Sequence, residues 1–373
     1  MLITEEELVR RMNKYKRVFL LEPCTDGRRH PLALMKISSY LKDRNCEVKF
    51  GYEFFPDDYD AVFVTTLFTY DSREVQNKIK SINKFFRTKD IIVGGVYSTL
   101  RPDHFEKHLV FSGYSKTLDQ IKPDYSFNFI KTYGMYEHDK FSYINATRGC
   151  PNNCEYCYVN QIECKSWVNP NFQNGIIADR PFVNIMDNNL VAFPKQFKRV
   201  AYTLFELDKR VHLEGGVDCK RATDDVVKTL SSMKWVTHGL RTAFDRIEED
   251  GVFQSFIKRL LDSGVPSTKI LVYCLINHTD TPKEADYRLR ECRNLKIETY
   301  RTVFTPLDSL DKIDDKYVGK YWTRNLLECF KHFWIRGTLY KSHDWTFEKY
   351  LNSQPAKEKF NLKKKDFKAW EGV

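Results

Sequence analysis

Three cysteines stand close together in the run Cys150-Pro-Asn-Asn-Cys154-Glu-Tyr-Cys157, which follows Asn145-Ala-Thr-Arg-Gly149. Thiolates are soft ligands suited to iron or zinc, and three at this C-x3-C-x2-C spacing can hold three irons of a cubane. Such a cluster lacks one protein ligand, so its fourth iron stays open to a small molecule. The competing assignment is a structural zinc site with Cys164 as fourth ligand. Structural zinc favours two separated ligand pairs, and no second pair follows here. Cys24, Cys46, Cys219, Cys274, Cys292 and Cys329 are scattered singly. Cys46 and Cys274, among apolar neighbours, read as small buried hydrophobes.

These thiols need strands and helices to position them. From Arg17 the chain alternates short apolar runs with helical patterns, which predicts a parallel sheet. Strands are expected at Val18 to Glu22, Val48 to Tyr52, Ala61 to Thr65, Ile91 to Val93 and Leu109 to Phe111. Helices are expected at Leu32 to Lys42 and Ser72 to Phe86. A second alternation begins at Phe141. Its strands are Tyr143 to Ala146, Phe182 to Met186, Arg210 to Leu213, Gly239 to Phe244, Lys269 to Leu275 and Glu298 to Val303. Its helices are Lys195 to Leu207, Thr223 to Ser232, Phe253 to Ser263 and Lys283 to Asn294. The Cys loop follows the first of these strands, the end where barrel enzymes keep their active sites.

The expected fold class is therefore α/β. A doubly wound Rossmann-like domain (1–115) and a connector (116–140) lead into a partial (β/α)6 TIM-type barrel (141–306). A C-terminal helical region (307–373) follows, with helices at Lys316 to Arg336 and Ser342 to Leu351. Its Lys-rich end, Lys357 to Lys368, reads as a solvated tail. Thr281 and Glu284 have the spacing of a helix-capping box.

On these residues the sequence resembles the radical S-adenosylmethionine superfamily, and the likeness extends beyond the Cys loop. Tyr156 matches the aromatic position whose backbone lies near the adenine. Ile185-Met-Asp187-Asn188-Asn189-Leu190 is similar to the segment ending the second strand, His212-Leu-Glu214-Gly215-Gly216-Val217-Asp218 to the third-strand segment, and Leu240-Arg241-Thr-Ala-Phe244-Asp245 to the fourth. Val272-Tyr273-Cys274-Leu275-Ile276-Asn277 resembles the fifth strand. The resemblance implies a [4Fe-4S] cluster on Cys150, Cys154 and Cys157 that binds S-adenosylmethionine, whose reductive cleavage gives a 5'-deoxyadenosyl radical that abstracts hydrogen from an organic substrate. Carboxylates or amides accept from an ammonium, and Arg suits a carboxylate. Asp187 or Asn189 would thus take the amino group, Arg241 the carboxylate, and Asp218 and Asn277 the ribose or adenine; strand-end turns and helix caps are the structural alternatives. Cys219 and Tyr273 are candidate hydrogen donors to a substrate radical, with packing as the other duty.

The N-terminal pattern, with Pro31-Leu-Ala-Leu34 and Ile91-Ile-Val-Gly94-Gly95-Val96, resembles the cobalamin-binding-type (B12-binding-like) domain fused to many such enzymes. Cobalamin held through a protein imidazole needs D-x-H-x-x-G. Here Asp26 and His30 stand at another spacing with no Gly at the required offset. The fold without imidazole ligation is expected, leaving a base-off cobalamin open. A cobalamin-dependent-type methyltransferase or cyclase remains the alternative reaction class, and a non-catalytic iron-sulfur or nucleic-acid-binding protein the alternative function.

The net charge of +10, from 60 Lys and Arg against 50 Asp and Glu, favours an anionic partner: a nucleotide, a nucleic acid or a phosphorylated small molecule. The reductive chemistry implies a one-electron donor such as flavodoxin or ferredoxin. Met1 to Arg17 is charged and amphipathic, without a signal-peptide core, and no stretch is apolar enough to span a bilayer. A cytoplasmic protein without a membrane partner is expected.

Overall fold

The alternating pattern resolves into parallel sheets with flanking helices in the computed structural model, which describes residues 1–23, 31–85, 90–126, 140–311, 316–335 and 345–372. The chain divides into two units. The first comprises Met1–Val183 with Leu307–Lys312, the second Asn184–Pro306 with Ile313–Val373.

In the first unit the elements run β1 (Leu2–Ile3), α1 (Glu5–Met12), β2 (Arg17–Leu21), α2 (Leu32–Lys42), β3 (Glu47–Gly51), β4 (Ala61–Thr65), α3 (Ser72–Phe85), β5 (Asp90–Gly94), α4 (Val96–Leu100), β6 (Leu109–Phe111) and α5 (Lys116–Asp119). Six strands form one sheet in the order β1-β6-β5-β4-β2-β3, with every pair parallel. Successive side chains of a strand face opposite ways, and here both faces are covered, as parallel sheets require. Val18, Leu20, Ala61, Phe63 and Ile92 pack with Leu34 and Leu41 of α2 and Leu8 and Met12 of α1. Phe19, Leu21, Val62, Val64, Ile91 and Val93 enter the opposite layer with Val75, Ile79 and Ile82, a one-sided stripe of α3. The opening residues therefore belong to the sheet: Leu2 pairs with Val110, and Thr4 caps α1 by accepting from Glu7 N–H at 3.2 Å.

Gly94-Gly95 makes its close approach to the protein's own backbone. Gly95 has φ +120°, and a Cβ there would lie 2.2 Å from Thr66 O. The Asp26–His30 loop lies outside the described residues.

Residues 116–126 of the expected connector contain α5, capped by Ser115, whose hydroxyl accepts from Leu118 N–H at 3.1 Å. After it come β7 (Phe141–Ile144), β8 (Thr147–Arg148), α6 (Val159–Ile162) and β9 (Trp167–Val168). β8 and β9 pair antiparallel, Arg148 opposite Trp167.

The elements continue with β10 (Phe182–Ile185), at which the division falls, α7 (Pro194–Glu206), β11 (Arg210–Leu213), α8 (Asp224–Ser232), β12 (Lys234–Trp235), β13 (Leu240–Ala243), α9 (Val252–Asp262), β14 (Ile270–Ile276), α10 (Pro282–Asn294) and β15 (Glu298–Val303). β11 pairs parallel with β12, and β13, β14 and β15 pair parallel in chain order. A parallel bridge between Val217 and Thr242 links the segment after β11 to β13. The register sets Ala243, Tyr273 and Tyr300 side by side. The opposite face of β14, with Val272, Cys274 and Ile276, is fully buried. The Thr281–Glu284 capping box forms as expected: Glu284 N–H donates to Thr281 Oγ1 at 3.2 Å and Thr281 N–H to Glu284 Oε2 at 2.7 Å.

The C-terminal region departs from expectation. The helix expected from Lys316 is α11 (Arg324–Phe333), starting at Thr323, whose hydroxyl accepts from Leu326 N–H. The residues before it are held otherwise, Gly319 N–H donating to Asn277 Oδ1 at 2.8 Å. α12 (Phe347–Asn352) follows, and the Lys-rich end is folded into α13 (Gln354–Lys359) and α14 (Lys364–Glu371) instead of a solvated tail. Lys359, Lys363, Lys364, Lys365 and Lys368 are exposed and Lys357 half-buried, while Ala356, Asp366 and Trp370 face in. Trp370 meets Phe347 at 5.1 Å, and Phe347 meets Phe330 at 4.8 Å between ring centroids.

Candidate functional site

The cysteine triad lies on an excursion between β8 and β9. Gly149 opens it at φ +83°, where a Cβ would sit 3.0 Å from Ser166 Cα, so only glycine enters this turn unstrained. Within the loop, Cys157 N–H donates to Cys154 O at 3.0 Å, and Asn160 Nδ2 donates to Asn152 O at 2.8 Å. The first bond folds the C-x2-C segment into a turn, and the second ties the loop's start to α6. Cys150 and Cys154 are half-buried and Cys157 exposed. Tyr156 between them is half-buried.

Charged residues converge beneath this loop. Arg148 donates to Asp119 through two nitrogens, Nε to Oδ2 at 2.7 Å and Nη2 to Oδ1 at 2.8 Å. Its Nη1 donates to Glu163 Oε1 at 2.8 Å. Glu163 Oε2 accepts from Gly149 N–H at 2.6 Å. Lys36 Nζ donates to Asp119 Oδ1 at 2.7 Å and to Asn145 Oδ1 at 3.2 Å. Burial works to raise the Asp119 carboxyl, but Lys36 and Arg148 outweigh it and hold it down at about 2. Burial likewise opposes the charge on Arg148, and the two carboxylates more than compensate, raising its pKa.

In the second unit a different cluster gathers at strand ends. Arg241 Nη1 donates to Glu214 Oε1 at 2.7 Å, and Asn184 Nδ2 donates to Glu214 Oε2 at 3.3 Å. His212 Nδ1 lies 3.6 Å from the same oxygen. The Arg241 guanidinium also stands over the Tyr273 ring, 5.8 Å from its centroid. Burial would raise the Glu214 carboxyl, yet Arg241 and the hydrogen bonds lower it, so it is ionised at neutral pH. Burial, reinforced by Arg241, pushes His212 down to about 4. The cluster at neutral pH thus holds a carboxylate, a guanidinium and a neutral imidazole. Gly215 lets the turns after β10 and β11 touch, since a Cβ there would lie 2.1 Å from Asp187 O.

The expected site residues divide between the units. Cys150, Cys154, Cys157 and Tyr156 belong to the first, and Asp187, Asn189, Asp218, Arg241 and Asn277 to the second. Asp187 and Asn189 are buried, 1% and 4% exposed. Asp218 performs the capping duty, accepting from Lys220 N–H at 3.1 Å and pairing with Arg221 at 3.3 Å. Asn277 is a local clamp: besides its bond from Gly319 it donates to Phe304 O at 3.2 Å, and its own φ is +68°. Of the second set, Arg241 joins the strand-end ionic cluster through its pair with Glu214. Glu214, His212 and Asn184 stand outside the expected site residues, although the two-residue spacing of His212 on β11 and Glu214 just after it favours one face. Cys219 is 5% exposed, and burial pushes its thiol up to about 12, so it stays protonated.

None of the nine described cysteines is in a disulfide. Among the described residues no three His, Cys, Asp or Glu side chains already converge on one point, so thiols sharing a metal have to turn toward a common centre. Three cysteines outside any disulfide on one closed loop fit an iron-sulfur cluster by donor chemistry. Among the described residues no helix is long and apolar enough to cross a membrane. The sequence matches no model of a known protein family and no curated protein.

Proposed function

We propose that the chain is a radical S-adenosylmethionine enzyme whose [4Fe-4S] cluster is held by Cys150, Cys154 and Cys157. The observation that carries this reading is the C-x3-C-x2-C triad on a single loop closed by Gly149 and Glu163, with none of its thiols in a disulfide and none fully buried. When bound, the cluster and S-adenosylmethionine supply one-electron cleavage of the sulfonium bond to methionine and a 5'-deoxyadenosyl radical able to take hydrogen from a substrate, the electron coming from a donor such as flavodoxin or ferredoxin. The chain's own contribution is to hold and orient. The three thiolates anchor the metal, and Glu163 and Arg148 keep the loop's ends together. Arg241 is the donor suited to a carboxylate and Glu214 the acceptor suited to an ammonium.

A doubly wound, Rossmann-like and B12-binding-like reading of the first unit is supported by the order β3-β2-β4-β5-β6, which has a switch point between β2 and β4. A partial-barrel reading is supported by the parallel, chain-ordered pairing of β13, β14 and β15. The excess of basic residues supports a nucleotide, a nucleic acid or a phosphorylated small molecule as substrate.

The test is anaerobic reconstitution with iron and sulfide, reduction by dithionite, addition of S-adenosylmethionine and detection of 5'-deoxyadenosine. The expected result is its formation by the native chain and its loss in Cys154→Ala. A native chain that takes up no iron overturns the reading. A cluster that forms but never yields 5'-deoxyadenosine assigns the chain to non-catalytic iron-sulfur proteins instead.

A further inference from the structure

We infer that Lys36, Asp119, Arg148 and Glu163 are a positioning network that holds the Cys150–Cys157 loop closed before any metal arrives. The inference rests on the iron-sulfur reading of that loop and deepens it. The four charges alternate in a connected chain from α2 through α5 and β8 to the residue that follows α6. Each link is a direct ion pair, at 2.7 Å for Lys36 with Asp119, 2.7 Å for Arg148 with Asp119, and 2.8 Å for Arg148 with Glu163. The side chains of Lys36, Asp119 and Glu163 are 5% exposed or less, and that of Arg148 is 20% exposed.

Two cations and two carboxylates cancel, so the network adds no net charge beneath a loop that is to hold thiolates. It has one terminus that does more than balance charge: Glu163 Oε2 receives the Gly149 N–H, the amide directly before Cys150. The other end is anchored in the sheet layer, because Lys36 lies on α2 and Asp119 ends α5, whose Leu118 is part of that core. Asn169 reinforces the frame, donating through Nδ2 to Asp119 O at 2.9 Å and Asn145 O at 2.8 Å. Arg148 suits the central position because a planar fork can serve both carboxylates at once, whereas an ammonium acts as a point charge. A three-thiol ligand set on an open loop would have to close the loop at the moment of binding. Here the closing hydrogen bond is already formed by protein groups, so the loop backbone is preorganised and only the thiol side chains have to turn toward a shared metal.

The test compares the native chain with Glu163→Leu, Glu163→Gln and Arg148→Lys in two measurements. The first is site-resolved alkylation of Cys150, Cys154 and Cys157 by iodoacetamide in metal-free protein, read by mass spectrometry. The second is iron per chain and the thiolate-to-iron absorption after reconstitution. Glu163→Leu removes both the ion pair and the acceptor for Gly149 N–H, and is expected to speed alkylation of Cys150 about tenfold, the factor matching one lost charge-assisted hydrogen bond, and to lower iron retention. Glu163→Gln keeps one acceptor and is expected to restore most of the native rate and spectrum. Arg148→Lys keeps the charge but cannot fork, and is expected to fall between them. A purely stabilising role would lower the melting temperature while leaving the site-resolved rates and the spectrum native, and that result overturns the inference. If Glu163→Leu does not fold, native behaviour in both other variants overturns it equally. A native chain that binds no iron refutes the iron-sulfur reading, while the alkylation measurement still decides the network's role.

Discussion

Glu163 accepts a 2.6 Å hydrogen bond from the backbone N–H of Gly149, fourteen residues earlier in the chain. That bond turns the stretch carrying Cys150, Cys154 and Cys157 into a closed loop. Both residues are needed for it, Gly149 for a positive φ that places its amide and Glu163 for a carboxylate held by Arg148.

Replacing any one of the three thiols should abolish stable metal binding. Cys150→Ala, Cys154→Ala and Cys157→Ala are each expected to lose the iron and the colour of the reconstituted protein, because two thiolates cannot carry a cubane that already lacks one ligand. Cys164→Ala should retain both. Iron analysis and visible absorption check this, and loss of metal in Cys164→Ala would favour a four-thiolate site.

Asp119 gives the fold an acid limit. Its carboxyl is lowered from 3.8 to about 2, so the native state prefers the ionised form. Its contribution is complete above about pH 4 and disappears as pH falls from there toward 2, amounting to about 2 kcal/mol. Asp119→Asn should lose about 3 kcal/mol at neutral pH, since Lys36 and Arg148 are left facing an uncharged amide. Its stability should also lack this part of the acid-dependent slope. Urea unfolding across the pH range reads both effects.

His212 should report on Arg241 and Glu214. Burial and Arg241 lower its pKa from 6.5 to about 4, while Glu214 pulls the other way. The stabilisation from its neutral form is therefore present above pH 6.5 and lost as pH falls toward 4. In Arg241→Met the imidazole is expected to titrate higher, and in Glu214→Gln lower. An NMR titration of the His212 ring that moves in the opposite sense in either variant would contradict the cluster described.

Gly215→Ala should be among the costliest small substitutions. The added methyl group would meet Asp187 O at 2.1 Å and Asn188 Cα at 2.8 Å, and backbone cannot swing aside as a side chain can. A loss of about 3 kcal/mol is expected. Gly251→Ala offers the contrast, having nothing within 4 Å and only its φ of +73° to oppose it. Equal melting temperatures for the two variants would contradict the close packing at Gly215.

The basic C-terminus should contribute to stability as well as to charge. Trp370 is 7% exposed against Phe347, and Trp370→Ala is expected to cost about 3 kcal/mol. Replacing exposed Lys365 by Ala should change stability by less than about 0.5 kcal/mol. Thermal unfolding separates the two.

Much of the fold was legible because its cues are local. Five of the six strands of the first sheet, all but β1, and the helices Leu32–Lys42 and Ser72–Phe85 show their periodicity within a few residues, and the tertiary contacts agree with it. The failures have identifiable causes. Lys357 to Lys368 reads as a solvated tail because charge dominates its composition, yet a helix needs only a few inward residues, here Ala356 in α13 and Asp366 and Trp370 in α14. The helix expected from Lys316 begins at Arg324, since Asn277, far away in sequence, takes up the Gly319 amide.

The amino-acid sequence alone determined the donor set of the candidate metal site, because Cys150, Cys154 and Cys157 lie within eight residues and their spacing expresses their chemistry without reference to the rest of the chain. It also determined the alternation of strands and helices, since periodicity is a local property. Only the tertiary structure decided what holds the loop: Lys36, Asp119, Arg148 and Glu163 come from separate elements, and their ion pairs exist once the sheet layer and the loop have packed together. It likewise decided which partners the polar groups meet: Gly319 for Asn277, Lys220 for Asp218 and Arg241 for Glu214. A polar side chain satisfies its hydrogen bonds with whatever the fold brings within reach, and no spacing in the sequence specifies that partner.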